Sequence, residues 1–186
     1  MATPPTPILH LPNSKCLIRP FTPTLSEAQT ISNEANNPLI AKFMRNAFPH
    51  PYSVADAESW IAFTNAEPRH DFTICDAATN TVVGAIGLKP RTDVQHRSME
   101  IGYWLGETHW GKGIATEAVV AFSQWAFEKF EHVVRLEAEV FEGNEGSKRV
   151  LEKAGYVCEA RKKWAVEKEG VLLDAFIYAL VAEGKA

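Results

Sequence analysis

The sequence predicts an α+β fold: a mixed, mostly antiparallel sheet of seven strands flanked by about four helices. Three observations carry this. A strand, a glycine-containing turn and a long helix run without a break from residue 99 to residue 129. Two strand pairs joined by short turns, residues 72–75 with 82–88 and 156–166 with 170–180, predict antiparallel hairpins. Apolar residues at three- and four-residue steps between those strands predict helices rather than a second sheet. The order β-α-α-β-β-β-α-β-α-β-β belongs to a mixed sheet with helices packed on it.

Each element has a local reason. Residues 15–19 are a short strand, ended by Pro20 and Pro23. Residues 24–33 are polar with Leu25, Ala28 and Ile31 at helical steps, and Asn36-Asn-Pro38 breaks them. Residues 40–48 fit no single pattern. Ser53 or Asp56 caps the next helix, whose face is Ala57, Trp60, Ile61 and Thr64. The loop 77–80 joins the first hairpin, and a variable loop leads from 89 to 98. Ala115, Ala118, Val119, Phe122, Trp125 and Ala126 line the long helix. Residues 133–140 alternate, placing Val134, Leu136, Ala138 and Val140 on one face. Asn144 opens a short helix that closes at Gly155, a residue suited to a left-handed cap.

Composition narrows the function. The chain has 186 residues, 46% hydrophobic, which fits one domain, expected over 14–186 behind a loose proline-rich leader over 1–13. A net charge of -4 argues against nucleic acid as the main partner. No apolar run reaches the roughly 20 residues of a membrane span, and no secretory signal is visible. Cys16, Cys75 and Cys158 are odd in number and far apart, with no metal-ligand spacing, so no metal is expected and a reducing, cytoplasmic setting is.

The chemistry centres on His109-Trp-Gly-Lys-Gly-Ile-Ala-Thr116. Two glycines let backbone approach a ligand closely, and the helix start behind them offers unpaired N–H groups at the positive end of a dipole. That combination binds phosphate. It is not a nucleotide P-loop: after Gly106-Glu-Thr-His-Trp-Gly-Lys112 the magnesium-holding Ser or Thr is replaced by Gly113. It is not a dinucleotide fingerprint either, since the third glycine or alanine is missing.

Trp110-Gly-Lys-Gly-Ile-Ala115 resembles the Q/R-x-x-G-x-G/A acyl-CoA loop of the GNAT superfamily of N-acetyltransferases. Trp110 stands where Gln or Arg is usual, as in the RimJ/RimL-like branch. Glu100-Ile-Gly-Tyr-Trp-Leu105, Asn144-Glu-Gly-Ser147, Leu151-Glu-Lys-Ala-Gly-Tyr156 and Pro51-Tyr52 with Asp56-Ala57 are similar to further segments of that branch, in the same order. Together they cover roughly residues 14–181, and motifs in register are far more specific than any one alone.

The resemblance implies a GNAT fold whose sheet splays between its fourth and fifth strands, and acetyl-CoA as donor without a metal. It implies that backbone groups of Trp110, Gly111, Lys112, Gly113, Ile114, Ala115 and Thr116 surround the diphosphate. Ile101, Gly102, Tyr103, Trp104 and Leu105 would pair with the pantetheine arm through main-chain groups, and Asn144 would contact it. Gly111 and Gly113 equally suit a plain strand-to-helix turn, and Asn144 a plain helix cap.

Transfer needs a base for the amine and a group at the leaving sulfur. Glu100 stands near the place of catalytic glutamates in several GNAT enzymes; a solvent-facing strand residue is its other reading. Many GNAT enzymes place a tyrosine at the position of Leu151, a role vacant here; the resemblance to RimL-like enzymes, which hold the sulfur with a serine at the place of Ser147, implies Ser147 instead, and an ordinary first-turn helix serine is its other reading. A strand N–H near Tyr103 or Trp104 would steady the oxyanion. The expected acceptor is a primary amine, on a protein N-terminus or a small molecule, for a monomer or homodimer. The alternative is a non-catalytic acyl-CoA-binding or protein-interaction module on the same fold.

Overall fold

The computed structural model describes residues 5–185. Strands are β1 (Leu9–Leu11), β2 (Cys16–Arg19), β3 (Asp71–Asp76), β4 (Val82–Pro90), β5 (Ser98–Leu105), β6 (Arg135–Phe141), β7 (Val157–Lys168) and β8 (Val171–Val181). Helices are α1 (Leu25–Ala35), α2 (Pro38–Ala41), α3 (Val54–Thr64), α4 (Ile114–Lys129) and α5 (Glu145–Lys153). The sheet order is β1-β2-β3-β4-β5-β6-β8-β7, with β5 and β6 parallel and the other described pairs antiparallel.

Among the described residues the sheet therefore has eight strands rather than seven, and it is accompanied by five α-helices where about four were expected. The added strand lies inside the expected leader. Leu9–Leu11 pairs with Cys16–Ile18, and Leu11 is buried. A three-residue strand is too short to show alternation, and its partner supplies the order. Residues 1–4 of the expected leader lie outside the described residues, as does the last residue of the 14–186 domain. The added helix, α2, is one turn capped by the Asn37 side chain with Pro38 at its first position. Of the three apolar residues at helical steps, α1 buries Ala28 and Ile31, joined by Ala35, while Leu25 is 67% exposed.

Other local readings hold. Ser53 and Asp56 both cap α3, as a reciprocal capping box. Gly155 takes φ +88° after α5. Glu169 and Gly170 both take positive φ in the turn between β7 and β8, as a two-residue hairpin turn requires. Beyond it, β7 carries register shifts, and the Trp164 N–H donates to the Asp174 carboxylate at 2.8 Å.

The chain divides into two compact units. The first comprises residues 1–87 and 103–118. Its core includes Leu17, Phe21, Ala28, Ile31, Tyr52, Ile61 and Val82, with Trp104 packed against it. The second comprises residues 88–102 and 119–186. Here β6 pairs with β8 over its full length, and Leu136, Ala138 and Val140 are buried as the alternation predicted. β4, β5 and α4 each run from one unit into the other.

Candidate active site

The first unit contains Tyr103, Trp104, Leu105 and the whole of Trp110–Thr116. Gly111 and Gly113 take φ +73° and +79°. That region strains any residue with a Cβ, so the two glycines are a backbone requirement of this turn. A Cβ built on either meets nothing within 4 Å. The turn therefore leaves its backbone open at both positions, immediately before the 16-residue α4. The first N–H groups of such a helix have no intrahelical acceptor. Lys112 between the glycines is exposed.

The turn is held from behind. The Trp110 indole N–H donates to the Leu105 carbonyl at 2.8 Å, tying the end of β5 to the loop. This is a physical role for tryptophan at the position where Gln or Arg is usual. Glu34 of α1 fills the space beside Gly106, where a Cβ would sit 1.7 Å from its Oε2, and lies 3.6 Å from His109 Nε2. The Asn37 amide donates to Glu107 at 2.7 Å. Glu117, in the first turn of α4, accepts the backbone N–H groups of Asn13 and Ser14 at 3.0 and 2.7 Å. Partial burial pushes its carboxyl pKa up, but these bonds outweigh that and hold it below the ordinary value. Motif reading missed Glu34 and Asn37. Their contacts to the loop span about seventy residues of sequence, and no local spacing signals them.

The second unit contains Glu100, Ile101, Gly102, Asn144 and Ser147. The parallel ladder joins Ser98, Met99 and Glu100 to Arg135, Leu136 and Glu137. Glu100 thus stands opposite Glu137, two carboxylates on adjacent strands. Arg91 resolves the repulsion: its guanidinium lies 3.3 Å from Glu100 and 3.4 Å from Glu137. Arg135 pairs with Glu137 at 2.8 Å and with Glu159. The Glu100 side chain is only 15% exposed, which replaces the solvent-facing reading by a half-buried, charge-paired one. Gly102, two residues on, is exposed, with open space where a Cβ would be.

Asn144 is the N-cap of α5, and its Oδ1 accepts the Ser147 N–H at 3.1 Å. The cap orients the carboxamide and leaves its Nδ2 without a partner among the described residues. Ser147 occupies the first turn of α5 and is half-buried. Leu151 is fully buried, so the vacant tyrosine position is a core position here. No group of three or more His, Cys, Asp or Glu among the described residues could hold a metal ion. No helix among them is long and apolar enough to cross a membrane.

Comparison with known proteins decides the family. The family model "Acetyltransferase (GNAT) domain" matches residues 15–157, most of the chain. The chain belongs to the GNAT acetyltransferase family. This GNAT chain is 29% identical over 161 residues to "Uncharacterized N-acetyltransferase p20" of Bacillus licheniformis, covering 84% of the chain and 88% of that protein. It is 35% identical over 115 residues to "Probable N-acetyltransferase YjcK" of Bacillus subtilis, covering 62% and 63%. Its fold matches Mycobacterium smegmatis RimJ in complex with CoA-disulfide at TM-score 0.78 and 25% identity, covering 92% of this chain and 84% of that one.

The GNAT chain is an acetyl-CoA-dependent N-acetyltransferase, RimJ/RimL-like, with an amine as acceptor. The residues fit the co-substrate. Gly102, Gly111 and Gly113 are open where a Cβ would stand, whereas Gly84, Gly87 and Gly106 face atoms at 2.2 Å or less. Acetyl-CoA supplies an activated acetyl thioester, and the protein has to bind it, take a proton from the amine and steady the sulfur.

Proposed function

We propose that the loop Trp110–Thr116 holds the diphosphate of acetyl-CoA and that Glu100 removes the proton from a primary amine as it attacks the acetyl carbon. The observation carrying this is the pair of positive-φ glycines opening onto α4. Their backbone N–H groups, with those of Ile114, Ala115 and Thr116, form a compact anion cradle that needs no metal. Lys112 adds charge at its rim.

The main chain of Ile101, Gly102, Tyr103, Trp104 and Leu105 is assigned to the pantetheine arm, which can add to a strand through its amides. Gly102 allows the closest approach, and an N–H at Tyr103 or Trp104 serves the oxyanion. The Nδ2 of Asn144 donates to the arm while Oδ1 caps α5. Ser147 donates to the departing sulfur. Glu100 is assigned the proton. The carboxylate is half-buried and held by Arg91, so it is positioned before substrate arrives. The acceptor is a protein N-terminus or a small primary amine.

Calorimetry with acetyl-CoA tests the cradle, and release of CoA thiol with an amine panel tests turnover. Saturable heat with no thiol release from any amine would return the chain to a binding module. Glu100→Gln is expected to lower turnover roughly 10²–10⁴-fold, the range of a general base, with acetyl-CoA affinity unchanged. Wild-type turnover across pH in that variant would remove Glu100 from the reaction.

A further inference from the structure

The glycines of the cofactor segment differ in cause. Gly111 and Gly113 are dictated by their positive φ. Gly106 is not: its φ of -57° and ψ of 145° suit any residue. What excludes a side chain there is Glu34. A Cβ built on Gly106 would lie 1.7 Å from Glu34 Oε2 and 2.9 Å from its carboxyl carbon. His109 Cδ2 borders the same space at 3.3 Å. Gly106 is thus a seat for one carboxylate.

The seat joins two parts of the first unit. Glu34 lies in the last turn of α1, which buries Ala28, Ile31 and Ala35. Gly106 leads through the single turn Glu107–His109 into Trp110 and the loop. The Gly106 N–H donates to the Val83 carbonyl at 2.9 Å, so the seat is itself anchored on β4. Asn37 is a second fastener on the same side. Its Oδ1 accepts the Leu39 N–H at 2.8 Å, and its Nδ2 donates to Glu107 at 2.7 Å. Glu34 and Asn37 therefore brace the passage from β5 into the loop. The loop glycines themselves have open space where a Cβ would be.

A loop with two glycines can take many backbone conformations, and an anion binds those whose N–H groups converge. Apparent affinity falls with the fraction of molecules in the competent form. Glu34 carries the wrong sign to attract a diphosphate, so an effect of its charge and an effect of its position on affinity oppose each other. We propose that Glu34, seated over Gly106, is a positioning residue that holds the diphosphate loop in its binding-competent form, so that acetyl-CoA affinity depends on α1. The proposal rests on the reading of Trp110–Thr116 as the diphosphate cradle and adds a residue that acts on the cofactor through that loop.

The test is calorimetry of the full chain with acetyl-CoA. Glu34→Ala keeps a good helix former in α1 and empties the seat. It is expected to raise the Kd roughly tenfold, as a fall of the competent fraction to about a tenth would, with the bound stoichiometry unchanged. Glu34→Gln keeps the shape and removes the charge, and is expected to bind as wild type does. Gly106→Ala puts a methyl group in the seat. The carboxylate is the far end of a flexible chain, so it is displaced without unfolding, and Kd is expected to rise as in Glu34→Ala. With both substitutions the methyl group meets an empty seat, and the double variant is expected to bind no more weakly than Glu34→Ala alone.

A wild-type Kd in Glu34→Ala overturns the proposal. So does a lowered stoichiometry at unchanged Kd, the mark of a residue that only supports folding. Binding by Glu34→Gln as weak as that by Glu34→Ala overturns it too, since charge rather than position would then be at work. Losses that simply add in the double variant would show that Gly106 and Glu34 do not act as a unit, with the same consequence. Each of these results alongside normal heat in the wild type overturns Glu34 alone. Absence of that heat in the wild type overturns the cradle itself.

Discussion

Two carboxylates in the first unit, the buried Glu27 and the half-buried Asp71, are treated in opposite ways. Glu27 of α1 faces Arg19 at 2.8 Å, with side chains only 7% and 2% exposed. The Arg19 guanidinium also donates to Asn80 Oδ1, the Pro20 carbonyl, Thr22 Oγ1 and the Asn80 carbonyl. Glu27 accepts the Thr22 N–H at 2.7 Å as well. Every member of that knot is satisfied, and it joins β2, α1 and the turn between β3 and β4. Among the described residues Asp71 has neither a cation nor a side-chain donor. The first arrangement specifies a fold. The second leaves a half-buried charge without a counter-charge among the described residues, at a cost in stability.

The knot can be broken by Arg19→Met. Removing one member leaves Glu27 buried and uncompensated, and about 3–5 kcal/mol of unfolding free energy is expected to go. Urea denaturation measures it. The double variant Arg19→Met with Glu27→Leu is expected to recover much of the loss, because the stranded charge is then gone. A single variant as stable as wild type would mean that the pair contributes nothing.

Asp71→Asn sharpens the contrast because its sign is opposite. The folded carboxyl titrates at about 6 against a reference value of 3.8. A carboxyl raised by folding contributes stability while it is protonated, below about pH 4. That contribution is lost as pH rises through 6. The variant, neutral throughout, is therefore expected to be more stable than wild type at pH 7 by about 1–3 kcal/mol. The gain should shrink to nothing by pH 4. Thermal melts at both pH values check it, and an equal shift at both would show that burial of charge is not its origin.

The smallest effect belongs to the exposed end of the second unit's charge chain. Arg135 holds the Glu159 carboxyl below its ordinary pKa through their hydrogen bond, but Glu159 is 44% exposed. Glu159→Gln is expected to cost under about 1 kcal/mol and to lose even that in high salt. Denaturation with and without added salt measures it. A loss as large as that in Arg19→Met would refute the link between burial and energetic weight.

The legibility of these features follows their range along the chain. The Ser53–Asp56 cap, the Gly111–Gly113 turn, the Gly155 cap and the long helix depend on neighbours within a few residues, and each was readable. β1 was not, because three residues carry no period and only pairing with β2 reveals them. Asp71 fell just outside the strand read over 72–75, and its contact with Gly87, sixteen positions away and across a ladder, carries no local signal. Arg91 was left in a variable loop for the same reason. Glu100 was singled out, but its ion pair was not foreseeable.

The amino-acid order alone determined the types of the longer elements, the glycine turn with its positive φ angles, and the motif set that marks a GNAT acetyltransferase. Those depend on backbone sterics and on local periodicity. Only the tertiary structure decided which charges are matched. Arg19 with Glu27, Arg91 with Glu100 and Glu137, and Asp71 without a counter-charge among the described residues are outcomes of strand register and burial. Electrostatic energy depends on distance and on the surrounding medium, and neither exists until the chain has folded.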